Sequence, residues 1–200
     1  VGGATLLSRI LGFFRDMILA YVLGAGIAAD AFYVAYRLPN MMRRLFAEGS
    51  MTMAFVPVFT KLREDEGDAR AFAMPRAAMV WLLIILGVLT ALAIVFARPL
   101  TALITPGFTD DPKLFDLTVE LTRIVFPYII EISAVALCMG VLNSFGHFLA
   151  PALATSELNT IIIAGAGVAW LFNLDVPHTL AWAVVIGGFG QVLMQQPQMR

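Results

Sequence analysis

The chain has 200 residues, a formal net charge of −1 and one cysteine; 60% of its residues are hydrophobic and 14% are charged. Soluble domains average about 45–50% apolar and about 25% charged residues, so a water-soluble fold is excluded, and the mean hydropathy of +0.86 agrees. The near-neutral charge provides no basic field for nucleic acid, and the lone Cys138 allows neither an internal disulfide nor a cysteine-based metal site.

Six segments are apolar for the roughly 20 residues that a bilayer crossing needs. They cover about 2–23, 28–62, 72–103, 113–146, 151–172 and 179–196. Helices follow from these lengths and from the need to satisfy every backbone group internally in lipid. The first segment ends in the turn Gly24-Ala25-Gly26, and the second is interrupted by Pro39 and by Glu48-Gly49. Pro39 is expected to break the continuity of that helix. The fourth segment contains Pro127, and short connections separate the rest. The expectation is an all-α, polytopic membrane helix bundle of about six transmembrane helices, a single transmembrane domain over residues 1–200. Val1 already lies in an apolar segment without a cleavable signal pattern, as expected of a trimmed or incomplete chain. The 61–76 connection carries Lys61, Arg63, Arg70 and Arg76, whereas the 24–28 and 173–178 turns carry no lysine or arginine. The positive-inside rule then puts that connection and the N-terminus in the cytoplasm.

Charges inside the spans are costly and normally face a bundle interior or a wet cavity. At about 100° per residue, Thr5, Ser8, Arg9, Gly12, Arg15 and Asp16 share an arc of roughly 120° on the first helix. Leucines, isoleucines and phenylalanines fill its other side. In the second segment Asp30, Arg37, Arg44 and Glu48 share one stripe if the helix is continuous, with Asn40 and Arg43 beside it. Arginine offers a planar fork of donors that matches phosphate. An arginine surplus in the membrane therefore points to an anionic substrate, with Asp16 and Asp30 holding the arginines when the site is empty. Some of these charges also suit interhelical ion pairs or the membrane interface. Glu131 and Glu157 are further intramembrane acids, open to a functional role or to an interhelix hydrogen bond. His147 and His178 lie near predicted helix ends without a carboxylate or thiol cluster, which leaves no enzyme or metal centre. Gly187-Gly188-Phe189-Gly190 follows no strand and is not a phosphate loop.

Two motifs are long and specific. Residues 8–16, SRILGFFRD, resemble the SRxLGFxRD motif of the MurJ/MviN lipid II flippases in the MOP superfamily. Residues 38–49, LPNMMRRLFAEG, look like that family's LPNxxRRxFAEG stretch, and Ala54-Phe55-Val56-Pro57 follows at the family spacing. Pro106-Gly107-Phe108, Phe126-Pro127-Tyr128-Ile129 and Leu180-Ala181-Trp182-Ala183 extend the resemblance over nearly the whole chain.

The resemblance implies a transporter rather than an enzyme. Such proteins carry lipid II, the undecaprenyl-diphosphate-linked peptidoglycan precursor, across the bacterial inner membrane by alternating access between two lobes. The family's cationic cavity maps onto Ser8, Arg9, Arg15, Asp16, Asp30 and Arg43, with Arg37, Arg44 and Glu48 as supporting charges. Pro39, Gly49 and Pro127 are hinge candidates. The resemblance makes this chain the N-terminal lobe, with the C-terminal lobe of the same protein and membrane lipids as partners. No cofactor is expected, and coupling to the membrane potential or a cation would use a site outside this chain. Two other readings remain open: a MOP-type exporter of another polyprenyl-linked glycan, and a non-transporting membrane scaffold. The arginine surplus argues against an exporter of cationic drugs.

Overall fold

The computed structural model describes residues 2–45, 51–146 and 149–195. All regular structure among them is helical: α1 (Gly2–Leu23), α2 (Ile27–Leu45), α3 (Met51–Glu66), α4 (Asp68–Ala71), α5 (Ala73–Val95), α6 (Ala97–Ile104), α7 (Pro112–Val125), α8 (Tyr128–Ser144), α9 (Leu149–Leu171) and α10 (Val176–Gln195). One 3-10 turn, Pro106–Phe108, joins α6 to α7.

The helix ends follow local chemistry. Gly24 closes α1 at φ 67°, a left-handed conformation that glycine adopts without steric cost. Asp111 caps α7, accepting from the backbone N–H of Lys113 and Leu114, and Pro112 opens the first turn.

Three predicted segments divide. The stretch read as 28–62 is two helices, α2 and α3, with residues 46–50 outside the described set. Contrary to expectation, α2 runs through Pro39 without ending; membrane helices tolerate proline because neighbours satisfy the freed carbonyl. The stretch read as 72–103 breaks at Phe96, whose φ of −96° and ψ of 25° separate α5 from α6. The 113–146 stretch breaks at Phe126-Pro127. Pro127 has no N–H for the helical ladder, and Ile129 and Ile130 close tight turns onto the carbonyls of Phe126 and Pro127. Among the described residues, four stretches are long and apolar enough to cross a membrane: Ala73–Val95, Pro112–Ser144, Leu153–Leu171 and Val176–Gln195. α1 matches them in length but carries Arg9, Arg15 and Asp16.

The α7–α8 pair forms the centre of the bundle, while α5 lies almost wholly on its outside. The main core joins Leu19 and Leu23 of α1, Phe32, Ala35 and Tyr36 of α2, Leu121 and Val125 of α7, Tyr128 and Ile132 of α8, Leu158 and Ile162 of α9, and Leu180 and Val184 of α10. A second cluster packs Phe55 and Phe59 of α3 against Leu137 and Val141 of α8. A third, around Ala97, Phe115 and Val119, fixes α6 to α7. Its edge carries an Arg98–Asp116 ion pair of 2.8 Å, with the guanidinium 5.2 Å from the Phe115 ring centroid.

α9 and α10 approach closely at Gly165. A Cβ placed there would lie 2.6 Å from the Ala183 Cβ, whereas nothing lies within 4 Å of one placed at Gly167. Small residues that admit a neighbouring backbone are the usual basis of helix pairing in lipid. Thermal unfolding of the whole protein in detergent should show Gly165→Ala destabilised by about 1–3 kcal/mol. Gly167→Ala should be neutral or slightly stabilised, by up to about 1 kcal/mol. Equal behaviour of the two variants would remove the close approach at Gly165.

Candidate functional site

Arg15 sits near the middle of α1, where the surrounding sequence is apolar. It donates from Nε at 3.0 Å and from Nη2 at 2.7 Å to Oδ1 of Asp16. From Nη1 it donates to Oδ1 of Asn159 on α9 at 2.8 Å. The Asn159 amide in turn donates to the Ser8 carbonyl at 3.3 Å. One buried amide thus ties two turns of α1 to α9. Gly12 lies between those turns, and a Cβ there would stand 3.6 Å from Asn159 Nδ2. The Arg15 side chain is 22% exposed and that of Asp16 64%. A partly exposed ion pair contributes little stability; its effect here is to orient the guanidinium. Each terminal nitrogen of Arg15 keeps one further N–H to offer.

Two adjacent hollows share this side chain. The larger, about 280 Å³, is lined by Arg15 and Asp16 from α1 and by Tyr33, Tyr36 and Asn40 from α2. The smaller, about 170 Å³, is lined by Ser8, Arg9 and Arg15 from α1 and by Thr155 and Asn159 from α9. Tyr36 borders both. Arg9 has no ion-pair partner among the described residues. With Arg9 and Arg15 against Asp16 alone, the lining of the paired hollows carries net positive charge.

Ser8, Arg9, Arg15 and Asp16 therefore come together as their shared helical arc predicts. Asp30 and Arg37 are exposed on α2. They fall on one arc of roughly 80° with Tyr33 and Asn40, which do line the larger hollow. Pro39 is buried within α2, and Pro127 marks the α7–α8 break. The side chains of Arg43 and Arg44, and all of Glu48 and Gly49, lie outside the described residues. Among the described residues, no group of His, Cys, Asp or Glu is arranged to hold a metal ion. Glu131 and Glu157 face α10 instead of the hollows: Glu131 lies against Gly188 and Glu157 against Gly190, and one oxygen of each lacks a hydrogen-bond partner.

Sequence reading alone does not single out Asn159, although it is 3% exposed and bonds α1 at two points. Its signal is an amide amid an apolar helix, within the polar run 155–160. Tyr36 gives no such signal, because its role depends on where α2 lies.

Residues 19–200 match the protein family described as lipid II flippase MurJ. The lipid II flippase MurJ of Burkholderia cenocepacia is 41% identical over 201 residues, covering 100% of this chain and 39% of that protein. A MurJ protein of Buchnera aphidicola is 38% identical over 202 residues, covering 100% of this chain and 39% of its own length. A solved structure of lipid II flippase MurJ in an inward closed conformation superposes with a TM-score of 0.80 at 27% identity; it covers 98% of this chain and 40% of the other. The chain spans about two fifths of the length of the curated relatives it matches.

Asn159→Leu removes both bonds to α1 at near-constant volume. Unfolding in detergent should show a loss of about 1–2 kcal/mol, the scale of interhelical hydrogen bonds in lipid. A variant as stable as the parent would show that the amide does not couple α1 to α9.

Proposed function

The chain belongs to the MurJ family of lipid II flippases, and on that premise we propose that it forms the N-terminal lobe of such a flippase, its α1–α2–α9 hollows receiving the diphosphate of lipid II. The observation that carries this reading is that Arg9 and Arg15, two cations placed where hydrocarbon is expected, line one hollow.

In the empty site Asp16 and Asn159 hold the Arg15 fork open. An arriving diphosphate takes the remaining N–H groups of Arg15 and the guanidinium of Arg9, while the polyprenyl tail stays in the bilayer. Phosphate suits that fork because it accepts bidentately. Neutralising the two cations lowers the cost of a dry, occluded state. Asp30 and Arg37 extend the polar surface along α2, and Arg43, Arg44 and Glu48 follow in the sequence as further candidate charges. Rocking against the C-terminal lobe of the same protein then exposes the headgroup to the other leaflet, as in other repeat-built transporters. Pro39, Gly49 and Pro127 are the candidate hinges, of which Pro127 stands at an actual helix break. The protein lies in the bacterial inner membrane with its N-terminus in the cytoplasm, and its transport is coupled to the membrane potential or to a cation bound outside these residues.

In the whole protein, Arg15→Ala should lower lipid II translocation at least about tenfold, the equivalent of one lost charge-assisted contact. Thermal unfolding should show the variant still folded, with a loss of no more than about 1–2 kcal/mol for the missing bond to Asn159. Arg15→Lys keeps the charge without the planar fork and should fall between the two. Parental translocation by Arg15→Ala would remove Arg15 from the mechanism.

A further inference from the structure

α5 is the most apolar of the four candidate spans and lies on the outside of the bundle. Where it leans on α8, a hollow of about 370 Å³ opens between the two helices. Met79 of α5 and Leu137, Cys138 and Val141 of α8 form its walls, and Phe72 closes one end. Among the described residues, Arg76 is the only charged one on this lining.

The placement of Arg76 is informative. It lies in the first turn of α5, one turn inward of Phe72, so the guanidinium and the aromatic wall share the end of the groove beside the charged 61–70 connection. Met79 lies one turn deeper in the span. On α8, Val141 lies about one turn from the helix end and Leu137 and Cys138 a further turn inward. An apolar channel thus leads inward from a guanidinium at the membrane surface. That guanidinium has no ion-pair partner among the described residues. Its neighbour Arg63, by contrast, is held by Asp68 at 3.3 Å, by the Ser144 carbonyl at 3.2 Å and over the Phe145 ring at 4.4 Å.

The aromatic wall beside Arg76 is preformed. Phe72 stacks on Phe145 with centroids 5.7 Å apart, and Phe59 meets Phe72 edge-on at 5.8 Å. Such aromatic pairs prefer defined geometries, which keeps the wall in place without a ligand.

We propose that this groove binds one anionic phospholipid of the surrounding bilayer, an acyl chain lying between α5 and α8 and the phosphate resting on Arg76. Charge complementarity selects the occupant: an unpaired cation at headgroup depth attracts a lipid of net negative charge over a zwitterionic one, and the walls beyond it offer no polar group to anything but a hydrocarbon chain. The site is separate from the α1–α2–α9 hollows and does not depend on their function.

The test uses the whole protein in nanodiscs of equal dioleoyl phosphatidylglycerol and dioleoyl phosphatidylcholine, released for native mass spectrometry. The parent should retain phosphatidylglycerol selectively. Arg76→Gln should lower that retention roughly tenfold, and Arg76→Lys should keep most of it. Met79→Trp should fill the groove and abolish retention of either lipid. Thermal unfolding checks that each variant is folded, and Arg76 is exposed, so its substitution should not disturb the bundle. Equal retention of the two lipids by the parent, or retention unchanged in Arg76→Gln, would overturn the proposal. Loss in Arg76→Gln with full retention in Met79→Trp would also overturn it, because the phosphate would then bind without the groove.

Discussion

A guanidinium half-way along a membrane helix must be given oxygen atoms or water, because hydrocarbon supplies neither. Arg15 imposes that constraint on the helices around it. Asp16 supplies one oxygen from the next residue, and Asn159 supplies the other from α9. α9 must therefore lie against the polar arc of α1, and Asn159 uses its second hydrogen-bonding group to hold the Ser8 carbonyl. α2 completes the surroundings with Tyr33, Tyr36 and Asn40. The opposite side of α1, with Phe13, Phe14 and Met17, is exposed and suits lipid or a second lobe.

The rest of the bundle holds this arrangement in place. Leu19 and Leu23, in the C-terminal half of α1, are buried in the main core with Phe32 and Ala35 of α2. The polar arc runs from Ser8 to Asp16, with exposed apolar side chains on the outward face. α1 is thus anchored by its last two turns and opens onto the hollows along the turns before them. α9 cannot shift freely, because Gly165 lets it press on Ala183 of α10.

The polar arc of α1 was legible because a helical repeat of about 3.6 residues places Ser8, Arg9, Arg15 and Asp16 on one side whatever the tertiary structure. The helix breaks at Phe96 and Phe126 were not, since hydropathy counts side chains and both residues continue an apolar run. Pro127 was visible, yet a proline does not by itself end a helix, as Pro39 inside α2 shows. Asn159 lies 144 residues from Arg15 in the chain, so its role exists only once α1 and α9 are adjacent. The long motifs identified the family; Arg43, Arg44, Glu48 and Gly49, which they also contain, fall where side chains or whole residues are outside the described set.

A water-filled hollow that borders the arginines of α1 and accepts an anion should be open to aqueous reagents. This is measured by the reactivity of Ser8→Cys in a Cys138→Ala background, in the whole protein within membrane fragments open on both sides. A membrane-impermeant thiol reagent should label position 8, inorganic pyrophosphate should slow the labelling, and Phe14→Cys on the opposite face should stay unlabelled. Position 8 reacting no faster than position 14, or at a rate indifferent to pyrophosphate, would contradict such a hollow.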